Sequence, residues 1–150
     1  MSRILSVITV GFIMCTLVSG FDKKGIAFAK NQTTMKISVQ ANGKTIVFEL
    51  NNSPAAQKLY VQLPLSIAVE DYSSNEKIFY PPSKLNTDDT PLAKAGEGTI
   101  AYYAPWGDVV MFYSGFTPAP GLYELGHVIS GSQYIKIMSG TIEIQKSVAP

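Results

Sequence analysis

The clearest pattern in the chain is an alternation of apolar and polar residues that begins at Met35. The alternation has the two-residue period of a β-strand over residues 35–40 and again over residues 45–50. Between the two stretches lies Asn42-Gly43, a dipeptide that readily adopts the positive φ angles of a tight turn. The pattern therefore predicts a β-hairpin.

A short helix is predicted directly after this hairpin. Asn52-Ser53-Pro54 offers an N-terminal cap and a proline in the first helical turn. The apolar residues from Ala55 to Leu63 fall on one helical face, and Pro64 ends the helix because it has no backbone N–H to donate.

The rest of the chain consists of short apolar stretches separated by turns rich in glycine and proline. Strands are predicted at residues 65–69, 77–80, 99–103, 109–113, 122–129 and 141–145, and a helical turn at residues 134–138. Many short strands with only one or two short helices predict a mainly β fold, a closed antiparallel barrel or a sandwich.

The longest segment without apolar periodicity is residues 83–98. A loop of that length in a compact domain is commonly functional or mobile. It precedes the hairpin whose turn is Pro105-Trp106-Gly107-Asp108. We therefore expect it to cover Trp106 as a lid, with Gly96 and Gly98 as pivots.

The first twenty residues differ from the rest in composition. Arg3 precedes an uncharged, largely apolar run that ends before Asp22, and Val18 and Gly20 are small residues of the kind that signal peptidase accepts. The pattern predicts a signal peptide over residues 1–20, a flexible tether over 21–34 and one domain over 35–146. We expect an exported protein, periplasmic or secreted. The alternative is an uncleaved membrane anchor, since the run nearly reaches the length that spans a bilayer.

Composition narrows the possible chemistry. The chain has 150 residues and 46% hydrophobic content, enough for one domain with a core. A formal net charge of +1 gives no reason to expect nucleic acid or an anionic membrane as a partner. The single cysteine, Cys15, lies in the predicted leader, and the single histidine is His127. Disulfides, metal sites and cofactors are therefore not expected.

Two parts of the chain carry a family resemblance. The spacing of Gly126, Val128, Gly131 and Ile135 resembles a cyclophilin segment in which a glycine opens a short helix. Residues 98–113, together with residues 139–143, are similar to a family of small bacterial cyclophilin-like proteins of undefined function. The resemblance covers residues 35–145. It implies a cyclophilin-like antiparallel β-barrel capped by helices, a fold associated with binding prolyl peptides.

The resemblance does not extend to the cyclophilin catalytic arginine. Cyclophilins lower the barrier to X-Pro rotation with an arginine that stabilises the twisted amide, whereas Arg3 is the only arginine in this chain. The segment 79–84 offers only Lys84, and lysine lacks the planar donor fork of arginine. We therefore assign no catalytic residue.

Other polar groupings carry weaker signals. His127, Glu124 and Asp108 with a serine would supply a hydrolase triad, but the chain lacks a Gly-x-Ser-x-Gly motif, so a structural histidine is the preferred interpretation. Asp88-Asp89 and Glu97 lack the acid and glycine spacing of a calcium loop, and we predict a solvated loop there.

The one unusual concentration in the sequence is aromatic, with seven aromatic residues between Tyr102 and Tyr123. A strand turns only half of its side chains into the core, so some of these rings must face a groove, a neighbour or solvent. The alternative is that they fill the core and plug the barrel ends. The functional interpretation is a ligand pocket around Trp106. Its candidate ligand-binding residues are Phe79, Tyr80, Tyr102, Trp106, Phe112, Tyr113, Phe116 and Tyr123.

Three functions from different classes fit these observations. The first is a non-catalytic binding module for a small apolar molecule or an extended peptide, and the absence of a complete catalytic set favours it. The second is a diverged peptidyl-prolyl isomerase. The third is a structural or oligomerising envelope protein whose aromatic surface is an interface.

Overall fold

The computed structural model describes residues 34–94 and 96–148. The predicted signal peptide and all but the last residue of the predicted tether lie outside these ranges. Within them, no helix combines the length and the apolar character needed to cross a membrane.

Eight strands and two short helices make up the described part of the chain. The strands are β1 (Lys36–Ala41), β2 (Lys44–Leu50), β3 (Leu65–Tyr72), β4 (Glu76–Phe79), β5 (Thr99–Tyr103), β6 (Asp108–Phe112), β7 (Leu122–Ser130) and β8 (Gly140–Ser147). The helix α1 (Pro54–Val61) follows β2, and a 3₁₀ helix (Ser132–Ile137) lies between β7 and β8.

The strands close into one antiparallel barrel. Their order around the barrel is β1-β2-β7-β5-β6-β4-β3-β8, and β8 pairs with β1 to close the ring. A mainly β fold built as a closed antiparallel barrel with two short helices confirms the fold class predicted from the sequence.

The first hairpin and the first helix form for the local reasons read in the sequence. Asn42 and Gly43 both have positive φ, 51° and 70°, as the tight turn between Ala41 and Lys44 requires. The Ser53 hydroxyl accepts a hydrogen bond of 3.3 Å from the Ala56 N–H and so caps α1, with Pro54 in the first turn.

The main core fills the inside of the barrel, and a helix closes each end. α1 follows the end of β2 and buries Ala55, Ala56 and Leu59 in this core. The 3₁₀ helix lies between the end of β7 and the start of β8, at the other end of the barrel, and buries Ile135. Because a fully buried large aliphatic or aromatic side chain contributes about 1.5–3 kcal/mol, this interior dominates the stability of the domain.

A second, smaller apolar cluster lies on the outer face of β4, β5 and β6. Its buried members are Ile78, Ala93, Ala101, Val110, Phe112 and Leu122. Tyr103 and Phe116 pack against it. These three strands are therefore buried on both faces, and irregular segments rather than another sheet cover the outer one.

Two glycines of the predicted cyclophilin-like segment let β2 approach β7 closely. A Cβ at Gly126 would overlap the Glu49 carbonyl group, and a Cβ at Gly131 would overlap the Thr45 carbonyl oxygen. β7 also carries a bulge on each side, where the register shifts against β2 and against β5. The close backbone contact explains why glycine stands at both positions.

We expect Gly126→Ala to lower the free energy of unfolding by about 3 kcal/mol, because the new methyl group meets rigid backbone and the strands must separate. Gly115→Ala is the control, since a Cβ there meets nothing within 4 Å and its cost should stay within about 0.5 kcal/mol. Urea unfolding of both variants measures the difference. Equal stabilities would contradict the close-contact explanation.

Candidate functional site

A cavity of about 330 Å³ opens on the outer face of the barrel, over β4, β5 and β6. Its walls combine aromatic, aliphatic and polar side chains, and two of them are carboxylic acids. The lining residues are Tyr72, Ser73, Asn75, Glu76, Tyr103, Trp106, Asp108, Val110, Phe112, Phe116, Thr117, Ala119 and Leu122.

Strand alternation explains which β6 residues line the cavity. Val109 and Met111 point into the barrel core, so Asp108, Val110 and Phe112 point outward. On the neighbouring β4, Glu76 lies opposite Phe112 in the ladder and faces the same cavity.

Aromatic pairs form two of the cavity walls. Phe112 and Phe116 stack with their ring centroids 3.9 Å apart and their planes 19° from parallel. At the other side, the Trp106 ring meets Tyr72 at 5.0 Å and Tyr103 at 5.4 Å, both nearly at right angles. Trp106 remains 50% exposed and lines the cavity.

The turn between β5 and β6 holds Trp106 in this position. The Trp106 and Gly107 N–H groups both donate to the Tyr103 carbonyl, at 3.2 and 2.8 Å. Gly107 has a φ of 79°, a left-handed conformation that favours glycine.

The two acids of the cavity are electrostatically unusual. Asp108 is 2% exposed, and its Oδ1 has no hydrogen-bond partner among the described residues. Burial raises the pKa of Asp108, an effect that a backbone hydrogen bond partly offsets. Burial, and secondarily the charge of Asp108, raises the pKa of Glu76 from 4.5 to about 7. The cavity therefore holds two carboxyl groups that both resist ionisation.

The candidate ligand-binding residues divide into two groups in the structure. Trp106, Phe112 and Phe116 line the cavity. The other five do not. Phe79 and Tyr102 are in the barrel core, Tyr113 packs against that core, Tyr80 is 46% exposed, and Tyr123 pairs with Leu92.

Ten lining residues are absent from the candidate set, and four of them are aromatic or acidic: Tyr72, Glu76, Tyr103 and Asp108. Two of them carried a usable signal, because Tyr103 and Asp108 flank the Trp106 turn and Asp108 shares the alternation of Val110 and Phe112. The other two, at the end of β3 and the start of β4, flank the β3–β4 turn, and only the pairing of β4 with β6 brings them to the cavity.

The expected lid is wrong, because no described residue of the segment 83–98 lines the cavity. Leu85 is buried in the barrel core, where its N–H donates to the Tyr102 hydroxyl at 3.3 Å. Ala93 packs in the outer cluster with Val110 and Phe112 but does not line the cavity. The segment after β6 covers the cavity instead, through Phe116, Thr117 and Ala119.

A hydrolase triad is not assembled. The His127 Nε2 lies 3.2 Å from the Glu124 Oε1. Asp108 is far from this pair along β5, because His127 lies opposite Thr99 at one end of β5 and Asp108 lies opposite Tyr103 at the other. Asp88, Asp89 and Glu97 are exposed. Among the described residues, no group of three or more histidine, cysteine, aspartate or glutamate side chains is placed to hold a metal ion.

Comparison with known proteins identifies the fold family. The family model described as the cyclophilin-like family matches residues 39–146. The chain belongs to the cyclophilin-like family.

Comparison with solved structures agrees with this assignment at the level of the fold. The solution structure of a hypothetical protein from Archaeoglobus fulgidus is similar to this domain, with a TM-score of 0.60 and 15% sequence identity. The match covers 79% of this chain and 99% of the archaeal one. No curated protein matches the sequence.

We expect Trp106→Ala to cost only about 1–2 kcal/mol of folding free energy, because the ring is half exposed and loses two edge-to-face contacts. Phe79→Ala, which removes a fully buried ring, should cost about 3–5 kcal/mol. Chemical denaturation of both variants gives the comparison. A Trp106→Ala loss as large as that of Phe79→Ala would mean that Trp106 is a core residue and not a site residue.

The stability of the domain should fall as the pH rises from about 4.5 to 7. In this range the unfolded chain releases the Glu76 proton while the folded state retains it, so deprotonation favours unfolding. Glu76→Gln should flatten the pH dependence of Tm and raise Tm above pH 7. Glu49→Gln, at an exposed position on β2, is the matched control. An identical pH profile for the wild type and Glu76→Gln would contradict the raised pKa.

Proposed function

We propose that this cyclophilin-like barrel is a non-catalytic binding module whose outer-face cavity holds a small molecule with an apolar part. The observation that carries the proposal is the half-exposed Trp106 at the edge of a cavity with a stacked Phe112–Phe116 wall. Open apolar walls beside a few polar groups are typical of small-molecule sites.

The dimensions of the cavity favour a compact ligand. Its volume of about 330 Å³ lies at the lower end of the range for ligand pockets. Val110 and Leu122 add aliphatic surface next to the stacked rings, so the cavity suits a ligand built around one aromatic ring.

An extended peptide is a weaker candidate than a small molecule. Peptides commonly bind to β proteins by adding a strand to a free sheet edge. Every strand of this barrel is paired on both sides, so it offers no free edge for such an addition.

Prolyl isomerase activity has no support from the cavity. Its lining contains no basic side chain, and its charged groups are the acids Glu76 and Asp108. A carboxyl group cannot supply the cationic donor that stabilises a twisted prolyl amide in cyclophilins.

Export, predicted from residues 1–20, would place the cavity outside the cytoplasm, and this stays a prediction.

Titration with tert-butylbenzene, a neutral single-ring probe, tests the proposed function. Binding should saturate, quench the fluorescence of Trp106, the only tryptophan of the chain, and shift the backbone amides of residues 106–112 and 116–117 in ¹⁵N NMR spectra. Phe116→Ala should weaken binding about tenfold.

Ile129→Ala is the control, since Ile129 is also half exposed but lies on β7 away from the cavity lining. It should leave the affinity unchanged. Non-saturable binding, or shifts centred on a second cavity that residues 40–45 line together with Thr141 and Glu143, would contradict the proposal. Quenching that depends on protein concentration without a ligand would instead indicate an interface between copies.

A further inference from the structure

The cavity combines two features that point to the charge of its ligand: acids without a counter-ion and aromatic rings at right angles. Asp108 supplies the first, because it is only 2% exposed and its Oδ1 accepts no hydrogen bond from the described residues. A buried polar atom of this kind is costly unless a partner arrives.

A second carboxyl group faces the same space. Glu76 lines the cavity and interacts electrostatically with Asp108. Two like charges in one partly buried cavity repel each other, and a positive group between them would stabilise both ionised forms.

The protein itself supplies no such positive group in the cavity lining. Lys77, the neighbour of Glu76 on β4, points to the opposite face, and its Nζ pairs with Asp71 at 2.6 Å. Lys136 lies 6.0 Å from the centre of the Tyr113 ring, outside the lining. The segment of residues 109–123 contains no charged residue.

The aromatic rings suit a cation as well. Trp106 meets Tyr72 and Tyr103 nearly at right angles, so faces and edges of three electron-rich rings border one end of the cavity. Organic ammonium ions bind against such ring faces, and tryptophan is the most favourable of the aromatic residues.

We propose that the cavity selects a small organic cation, a ligand whose alkyl- or arylammonium group lies against Trp106, Tyr72 and the two carboxyl groups of Glu76 and Asp108. The apolar part of the ligand lies against Phe112 and Phe116. This inference rests on the proposed small-molecule function and adds the charge of the ligand to it.

A pair of probes of the same shape tests the charge directly. Phenyltrimethylammonium and tert-butylbenzene differ only in a positively charged nitrogen replacing a carbon atom. Calorimetry and Trp106 fluorescence at about pH 8, where Glu76 is largely ionised, should show about tenfold tighter binding of the cation. Phenethylammonium, a primary amine, in parallel distinguishes quaternary from primary ammonium ligands.

The preference should also depend on the ionisation of the protein. Phenyltrimethylammonium keeps its charge at every pH, so a pH dependence of its binding comes from titratable groups of the protein. The titratable groups that line the cavity with Glu76 are Asp108 from β6, which interacts with it electrostatically, Tyr72 from β3 and Tyr103 from β5. Between about pH 8 and pH 5 the preference for the cation should shrink as Glu76 takes up its proton.

Variants assign the effect to the carboxyl groups. Glu76→Gln and Asp108→Asn should each remove most of the preference for the cation, while their tert-butylbenzene affinity stays close to that of the wild type. Glu49→Gln, on the exposed face of β2, should retain the full preference. Thermal unfolding verifies that each variant is folded, and Glu76→Gln alone suffices if Asp108→Asn fails to fold.

The outcomes separate this inference from the proposed function. Equal affinity for both probes would overturn the inference and leave the small-molecule site intact. Binding of neither probe would overturn the proposed function as well. A preference for the cation that persists in Glu76→Gln and Asp108→Asn would show that the carboxyl groups do not select the ligand, and would overturn the inference.

Discussion

The structure depends on the fact that β6 is buried on both of its faces. All five of its residues are buried, although alternate side chains of a strand point in opposite directions. Val109 and Met111 belong to the barrel interior, so the outward side chains need a cover of their own. The chain provides it with Ala93 and Phe116 from irregular segments and with Leu122 from the start of β7. The cavity lies along this outer face, from Asp108 at the start of β6 to Phe112 at its end, and Trp106 also lines it.

Those parts of the fold that arise from local interactions were predictable from the sequence. Asn42-Gly43 dictates its turn through backbone conformation, and Ser53-Pro54 starts α1 through a cap and a fixed φ. The cavity was predictable only in part. Alternation shows that neighbours such as Tyr102 and Tyr103 face opposite ways, but it cannot say which of the two faces is the barrel interior. The sequence therefore predicts Tyr102 as a site residue, whereas the structure places it in the core.

Long-range pairing explains the residues that sequence reasoning missed. Glu76 reaches the cavity because it lies opposite Phe112 in the β4–β6 ladder, a register that no local pattern of the chain encodes. The misplaced lid has the same origin. The lack of apolar periodicity in residues 83–98 indicates a free loop that can act as a lid, yet Leu85 and Ala93 are buried against the barrel. The shorter segment after β6 covers the cavity instead, because Phe116 stacks on Phe112.

Membership of the cyclophilin-like family fixes the barrel and leaves its chemistry open. Gly126 and Gly131 serve the backbone packing of the fold, whereas Glu76 and Asp108 give this cavity two carboxyl groups. The most direct measurement is a set of isotope-filtered nuclear Overhauser effects between bound phenyltrimethylammonium and the labelled protein. The account predicts contacts from the methyl protons to the Trp106 and Tyr72 rings, and from the phenyl protons to Phe112 and Phe116. Contacts to the surface around residues 40–45, with none to Trp106, would contradict it.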